Sequence, residues 1–224
     1  MRQAGKTSFG SIFVSVRRVI DRISLHLVRL FGFYVLEFDH VPVLPAAARL
    51  FGFTVASGTK ENITALLSCW PQLSIVELEA RFSCGDHCAL VRFKDQVVGY
   101  EWACLDSVHV EARYHVALPI PSDAIYLYDC FVQPEYRKRG VWLVLRAYWA
   151  EFMKQASRSR VFSIVDIGND LSLNTHLHFG YKVVSWAVGF QMCGKTLSKT
   201  TKLILPSLVR QNRAAFSATA PKRG

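Results

Sequence analysis

The sequence predicts an α+β fold: a mixed, mostly antiparallel sheet flanked by helices, with an amphipathic helix at its start. Three observations carry this. Half of the 224 residues are apolar (51%), enough for a real core. The hydrophobic period changes from helical to two near residue 88 and stays there through several segments. After residue 124 a strand, a basic turn, a helix and another strand then follow one another.

Taken in order, residues 11–36 read as helical. Val16, Ile20, Ile23, Leu27, Leu30 and Tyr34 step by three and four along one face. Arg18, Arg22, His26 and Arg29 form a separate basic stripe. An apolar face beside arginines suits either docking on a protein surface or peripheral contact with an anionic membrane. Pro42 and Pro45 break the pattern and mark a linker near 40–48. A strand-like FGFTVAS follows, then a helix from Lys60 to Trp70 with Thr59 as N-cap. A second short helix runs from Ser74 to Phe82 and ends at Gly85.

CALVRF, VVGYEWACL, ARYHVAL and AIYLYDCFV then read as four strands, the first three a meander. Residues 140–156 are helical, with Val141, Val144, Leu145, Tyr148 and Phe152 on one face. VFSIVDI is a buried strand, Ser172 to Phe179 a short helix, and KVVSWAVGFQM and KTTKLIL two closing strands. The expected organisation is a basic amphipathic helix and linker over 1–48, a main domain over 49–206 and a loose basic tail over 207–224.

The formal net charge of +10 favours polyanions: nucleic acid, anionic membrane or a phosphorylated small molecule. The aromatic residues do not interleave with the arginines as a nucleic-acid stacking platform requires, which argues against that class. Six scattered cysteines without a CxxC pair fit a reducing compartment. Cys84, His87 and Cys88 lack a partner pair for zinc, so no metal is expected. The early apolar stretch SIFVSV runs straight into Arg17 and Arg18, unlike a secretory signal. A cytoplasmic protein is expected, with peripheral contact at the inner membrane surface through residues 11–36 as a further expectation.

The chemistry concentrates in Phe131-Val132-Gln133-Pro134-Glu135-Tyr136-Arg137-Lys138-Arg139-Gly140-Val141-Trp142. This run lies between a strand and a helix. Helix N-termini expose N–H groups at the positive end of the dipole. Gly140 permits close backbone approach and three cations add charge, so the turn reads as a pyrophosphate cradle or as a basic helix cap.

This run resembles the GNAT acyltransferase family. That family's phosphate motif reads Arg or Gln, two residues, Gly, one residue, then Gly or Ala. Here it is Arg137-Lys-Arg-Gly140-Val-Trp142, with a tryptophan in place of the last small residue. A second likeness lies in Asn169-Asp-Leu-Ser172 and the Gly180-Tyr181 that ends the next helix, and a third in Arg81-Phe82, Gly85-Asp86 and Val98-Gly99-Tyr100. The likeness spans about 150 residues. It implies an acetyl-CoA or other acyl-CoA co-substrate and direct transfer to an amine. The cofactor would be held by Phe131, Val132, residues 137–142 and Asn169, with a backbone N–H near Val132 polarising the carbonyl. Asp129 is the first candidate base, with Tyr126, Tyr128 and Glu101 behind it. His176 stands where many members carry a tyrosine that protonates the thiolate. The acceptor would be a small-molecule or cell-envelope amine. The alternative is a catalytically degenerate GNAT-fold binding module.

Overall fold

The structure is a computed structural model that describes residues 8–23, 28–38, 52–192 and 195–201. In chain order the elements are α1 (Ser8–Ile23), β1 (Val28–Phe38), β2 (Phe53–Gly58), α2 (Ile63–Cys69), α3 (Ile75–Ser83), β3 (His87–Phe93), β4 (Gln96–Cys104), β5 (Val108–Glu111) and β6 (Val116–Pro119). They continue with β7 (Ala124–Val132), α4 (Val141–Gln155), β8 (Arg160–Asp166), α5 (Asp170–His178), β9 (Lys182–Met192) and β10 (Lys195–Thr201). The chain forms two compact units. One holds residues 38–107 and 120–163, the other residues 1–37, 108–119 and 164–224. The linker expected at 40–48 and the tail at 207–224 lie outside the described residues.

The first unit carries the strand order β8-β7-β4-β3-β2. All neighbours are antiparallel except β7 and β8. Hairpin β3–β4 closes through Lys94-Asp95, with Phe93 opposite Gln96 and Lys94 at φ 54. That positive φ matches the twist demanded of a two-residue hairpin turn. In α3 the Ser74 hydroxyl accepts from the Glu77 N–H (3.4 Å), and Gly85 takes φ 83 just beyond the helix, so both punctuation signals act as the sequence implies. Leu66, Leu78, Leu90, Val97, Tyr100 and Trp102 form the core under α2 and α3.

Parallel strands β7 and β8 start together because Asp123 clamps the entry to β8. Its carboxylate accepts from Arg160 Nε (2.8 Å) and Nη2 (2.7 Å), and its carbonyl from the N–H groups of Ser159 (2.8 Å) and Arg160 (3.1 Å). Their registered pairing covers Ala124–Tyr126 against Arg160–Phe162.

The second unit corrects two expectations. Residues 28–36 are not helix: they belong to β1, antiparallel to β9 from Val28↔Met192 to Glu37↔Lys182. The segment is apolar on both faces, so periods of 2 and 3.6 fit it equally. Its aromatic and β-branched content and Gly32 favour a strand, and pairing decides it. β1 also takes the chain leaving β8, where the Ile167 N–H donates to the Gly32 carbonyl (2.9 Å). ARYHVAL is likewise not a third strand of a meander. Val108–Pro119 folds as a separate two-stranded hairpin, β5–β6, while β4 pairs directly with β7. Tyr114, at the hairpin's turn, stacks on Phe31 (5.0 Å) and Phe33 (5.2 Å) of β1.

α1 lies on the opposite face of β1 from that hairpin. A Cβ on Gly32 would come 2.8 Å from Phe13 Cζ and 2.9 Å from Ile167 Cδ1. Gly32→Ala is therefore expected to cost about 1–3 kcal/mol through overpacking. Urea unfolding would read this as a lower midpoint, and an unchanged midpoint would mean that the Phe13 ring yields freely.

Candidate active site

The end of β7 is built around a bulge. Tyr128 faces Trp102 and Phe131 faces Tyr100, so Asp129 and Cys130 together oppose the single residue Glu101. Asp129 sits at φ 45, the left-handed conformation that the G1 type of bulge has at its first position. The ladder resumes with the Gln133 N–H donating to the Val98 carbonyl (2.9 Å). Amides alternate direction along an antiparallel pair, so the Val132 N–H points away from β4, to the side where registered pairing with β8 has ended.

The strand leads into the basic turn. A short 3-10 turn, Pro134–Tyr136, precedes Arg137, whose Nε donates back to the Val132 carbonyl (3.1 Å) and closes the loop. Lys138 at φ 62 and Gly140 at φ 89 then reverse the backbone into α4. Gly140 is the N-cap and offers no side chain to the first turn; the first helical bond is Val144 N–H to the Gly140 carbonyl (3.1 Å). The opening turn of α4 thus presents amides that the helix does not use, beside exposed Arg137, Lys138 and Arg139. Arg139 lies over the Tyr136 ring (5.8 Å). The Arg146 guanidinium, one turn along α4, lies over the Trp142 indole (4.7 Å). Gly99 on β4 keeps the strand beneath tight: a Cβ there would meet the Phe131 carbonyl and Val141 Cγ1, each at 3.0 Å.

Beside the bulge stands Arg81, which sequence reasoning did not assign a role. It projects from the last turn of α3, with its guanidinium carbon 5.2 Å from the ring centroids of both Trp102 and Tyr128. One end of the guanidinium contacts Asp129, and Nη2 reaches Glu77 at 2.6 Å. Burial works against the Arg81 charge, but the Asp129 carboxylate outweighs it and holds the group well above its ordinary value. The second Asp129 oxygen lies 3.5 Å from the Tyr100 hydroxyl. Next to it the Tyr128 hydroxyl donates to Asp86 (2.5 Å); burial raises the Asp86 pKa, opposed by that hydrogen bond. The sequence marks Arg81 only through the Arg81-Phe82 likeness and its i,i+4 spacing from Glu77, neither of which points to Asp129.

The other candidate side chains have different surroundings. Glu101 is 3% exposed, ion-paired with Arg146 and bonded by Trp149 Nε1 (2.8 Å), so it is a core carboxylate rather than one an amine can reach. Tyr126 is buried and stacked on Tyr128 at 5.9 Å. His176 belongs to the other unit. Its Nδ1 lies 2.8 Å from the Ser172 carbonyl, and its ring meets Tyr181 edge-on at 4.9 Å. A carbonyl only accepts, so Nδ1 carries the proton of the neutral ring, and donation from Nε2 requires the imidazolium. Asn169, in the same unit, caps α5 by accepting from the Ser172 N–H (3.2 Å). The structure therefore gathers Asp129, Phe131, Val132 and the 137–142 turn in one unit, and Asn169 and His176 in the other.

No protein-family model and no curated protein matches the sequence. Solved structures do. A Novosphingobium aromaticivorans protein assigned to the acetyltransferases of the GNAT family superposes with a TM-score of 0.51 at 12% identity, over 78% of this chain and 66% of that one. The chain has a GNAT-like fold. A Drosophila protein matches with a TM-score of 0.51 at 14% identity, over 75% of this chain and 52% of its own. A functionally unknown conserved protein of Staphylococcus epidermidis matches with a TM-score of 0.50 at 12% identity, over 75% and 64%. This chain thus spans just under two thirds, or less, of each of these neighbours. At such identities the likeness is one of fold, and the chemistry has to come from the site itself.

Proposed function

We propose that the protein is an acyl-CoA-dependent N-acyltransferase that passes an acetyl group from acetyl-CoA to an amine on a small-molecule or cell-envelope acceptor. One observation carries the reading: a bulged strand turns its Val132 amide away from β4, past the end of its registered pairing with β8, and runs directly into a cationic, glycine-capped helix start. The 137–142 turn binds the pyrophosphate through backbone amides and charge. The Val132 N–H receives the thioester carbonyl and stabilises the oxyanion as it develops. Asp129 accepts a hydrogen bond from the incoming amine and takes its proton. The amine nitrogen bonds to the carbonyl carbon, the carbon–sulfur bond breaks, and the leaving thiolate takes a proton from water while Asp129 returns the amine's proton to solvent.

The Arg81–Asp129 contact favours a second reading, a GNAT-fold module that binds coenzyme A without turnover, because it occupies one oxygen of the carboxylate. Calorimetric titration with acetyl-CoA tests the first step. Micromolar binding is expected, and the Arg139→Glu, Gly140→Glu double variant is expected to lose it by about a hundredfold or more, since charge-assisted hydrogen bonds contribute about 1.5–3 kcal/mol each. No binding by the folded wild-type protein would overturn both readings. Binding without thiol release, across a panel of amines, would favour the second.

A further inference from the structure

The two compact units differ sharply in amino-acid composition. The unit of residues 1–37, 108–119 and 164–224 contains 15 Lys and Arg against 5 Asp and Glu, and therefore the whole +10 of the chain. The other unit contains 12 of each and is neutral. The same basic unit carries eight of the ten large apolar side chains that stand exposed among the described residues; only Ile75 and Val76 belong to the neutral one. Basic proteins that bind only dissolved anions need no such apolar surface.

The exposed apolar groups have an order. On α1, Ile12 (58% exposed), Val16 (45%) and Val19 (53%) step by four and three, which sets them on one strip of the helix. Phe13 is turned off that strip into the core, against Gly32 of β1. Gly32 faces Val188, Leu30 faces Phe190 and Val28 faces Met192. Alternate strand residues share a face, so exposed Phe190 and Met192 lie on the side of the sheet that α1 occupies. Arg18 is exposed on the flank of the same helix. The sole acidic residue of α1, Asp21, pairs with Arg17 at 3.7 Å.

We propose that this face of the basic unit docks on an anionic lipid surface, with α1 lying in the plane of the interface. Ile12, Val16 and Val19 enter the acyl boundary while Arg18, on the flank of the helix, reaches the phosphates. The observations favour lipid over a second copy of the chain, because two copies of a unit with a net basic composition repel each other. They favour it over nucleic acid because the exposed strip is aliphatic and offers no ring to stack on a base. No described helix is long and apolar enough to cross a membrane, consistent with binding on the surface.

Flotation of the full chain with vesicles tests the proposal. Vesicles of equal parts phosphatidylcholine and phosphatidylglycerol are expected to bind at least about tenfold more protein than phosphatidylcholine alone, from basic groups near the surface. Val16→Asp or Ile12→Asp is expected to cut that binding about tenfold. Val76→Asp, at a 74% exposed site of the neutral unit, is expected to leave it unchanged. Circular dichroism melts confirm that each variant is folded. Absence of flotation on the anionic vesicles, equal loss with Val76→Asp, or a dimer in size exclusion that Val16→Asp dissolves would each overturn it.

Discussion

Arg146→Met is expected to destabilise the protein by about 3–5 kcal/mol, the largest stability effect of any single substitution considered. Arg146 and Glu101 are each 3% exposed, and they pair in the core of the 38–107 and 120–163 unit. Removing the guanidinium leaves a carboxylate out of water with one remaining donor, Trp149 Nε1 at 2.8 Å. A charge cannot be desolvated at that cost without loss of the fold or uptake of a proton. The change also takes away the group that lies over the Trp142 indole at the start of α4. The double variant Glu101→Leu, Arg146→Met is expected to recover most of the loss, because replacing a whole buried pair by apolar groups is often neutral. Urea unfolding of the three proteins reads both effects. An Arg146→Met midpoint equal to that of the wild type would mean that water reaches Glu101.

Asp129→Asn is expected to lower the turnover number for acyl transfer by about 10²–10⁴-fold while leaving acetyl-CoA binding unchanged. The side chain stands on the bulge, three residues before Val132, and is engaged by Arg81 at one oxygen and lies 3.5 Å from the Tyr100 hydroxyl at the other. Asparagine keeps size and one acceptor, so the bulge and the phosphate turn are retained while the proton acceptor is lost. Arg81 fixes the carboxylate rather than touching the reaction, and Arg81→Lys is expected to raise the acceptor KM more than it lowers kcat, since a point charge cannot hold the bidentate contact to Asp129 and Glu77. Steady-state kinetics with calorimetry separates the two steps. Unchanged turnover in Asp129→Asn would remove Asp129 as the base.

Local signals were legible wherever the physics is local. Ser74 and Gly85 bound α3 as their side-chain and backbone preferences require. The strands β3 and β4 and the strand–turn–helix of residues 124–155 follow from period and turn chemistry alone. The glycine that caps α4 and the cations before it stand next to each other in sequence, so the basic turn was readable as a unit.

What lay beyond reach depends on partners far along the chain. Val28–Phe38 became a strand because β9, over 140 residues away, offers it a ladder; an apolar run alone cannot choose its period. Val108–Pro119 left the expected meander because Tyr114 finds Phe31 and Phe33. Arg81 meets Asp129 across 48 positions, and Arg146 meets Glu101 across 45. The sequence by itself determined a mixed sheet with a cationic, glycine-capped turn at a helix start, because those depend on neighbours in the chain. Only the tertiary structure decided which carboxylate is sealed in the core and which stands at the bulge, because burial and ion pairing are set by groups that folding alone brings together.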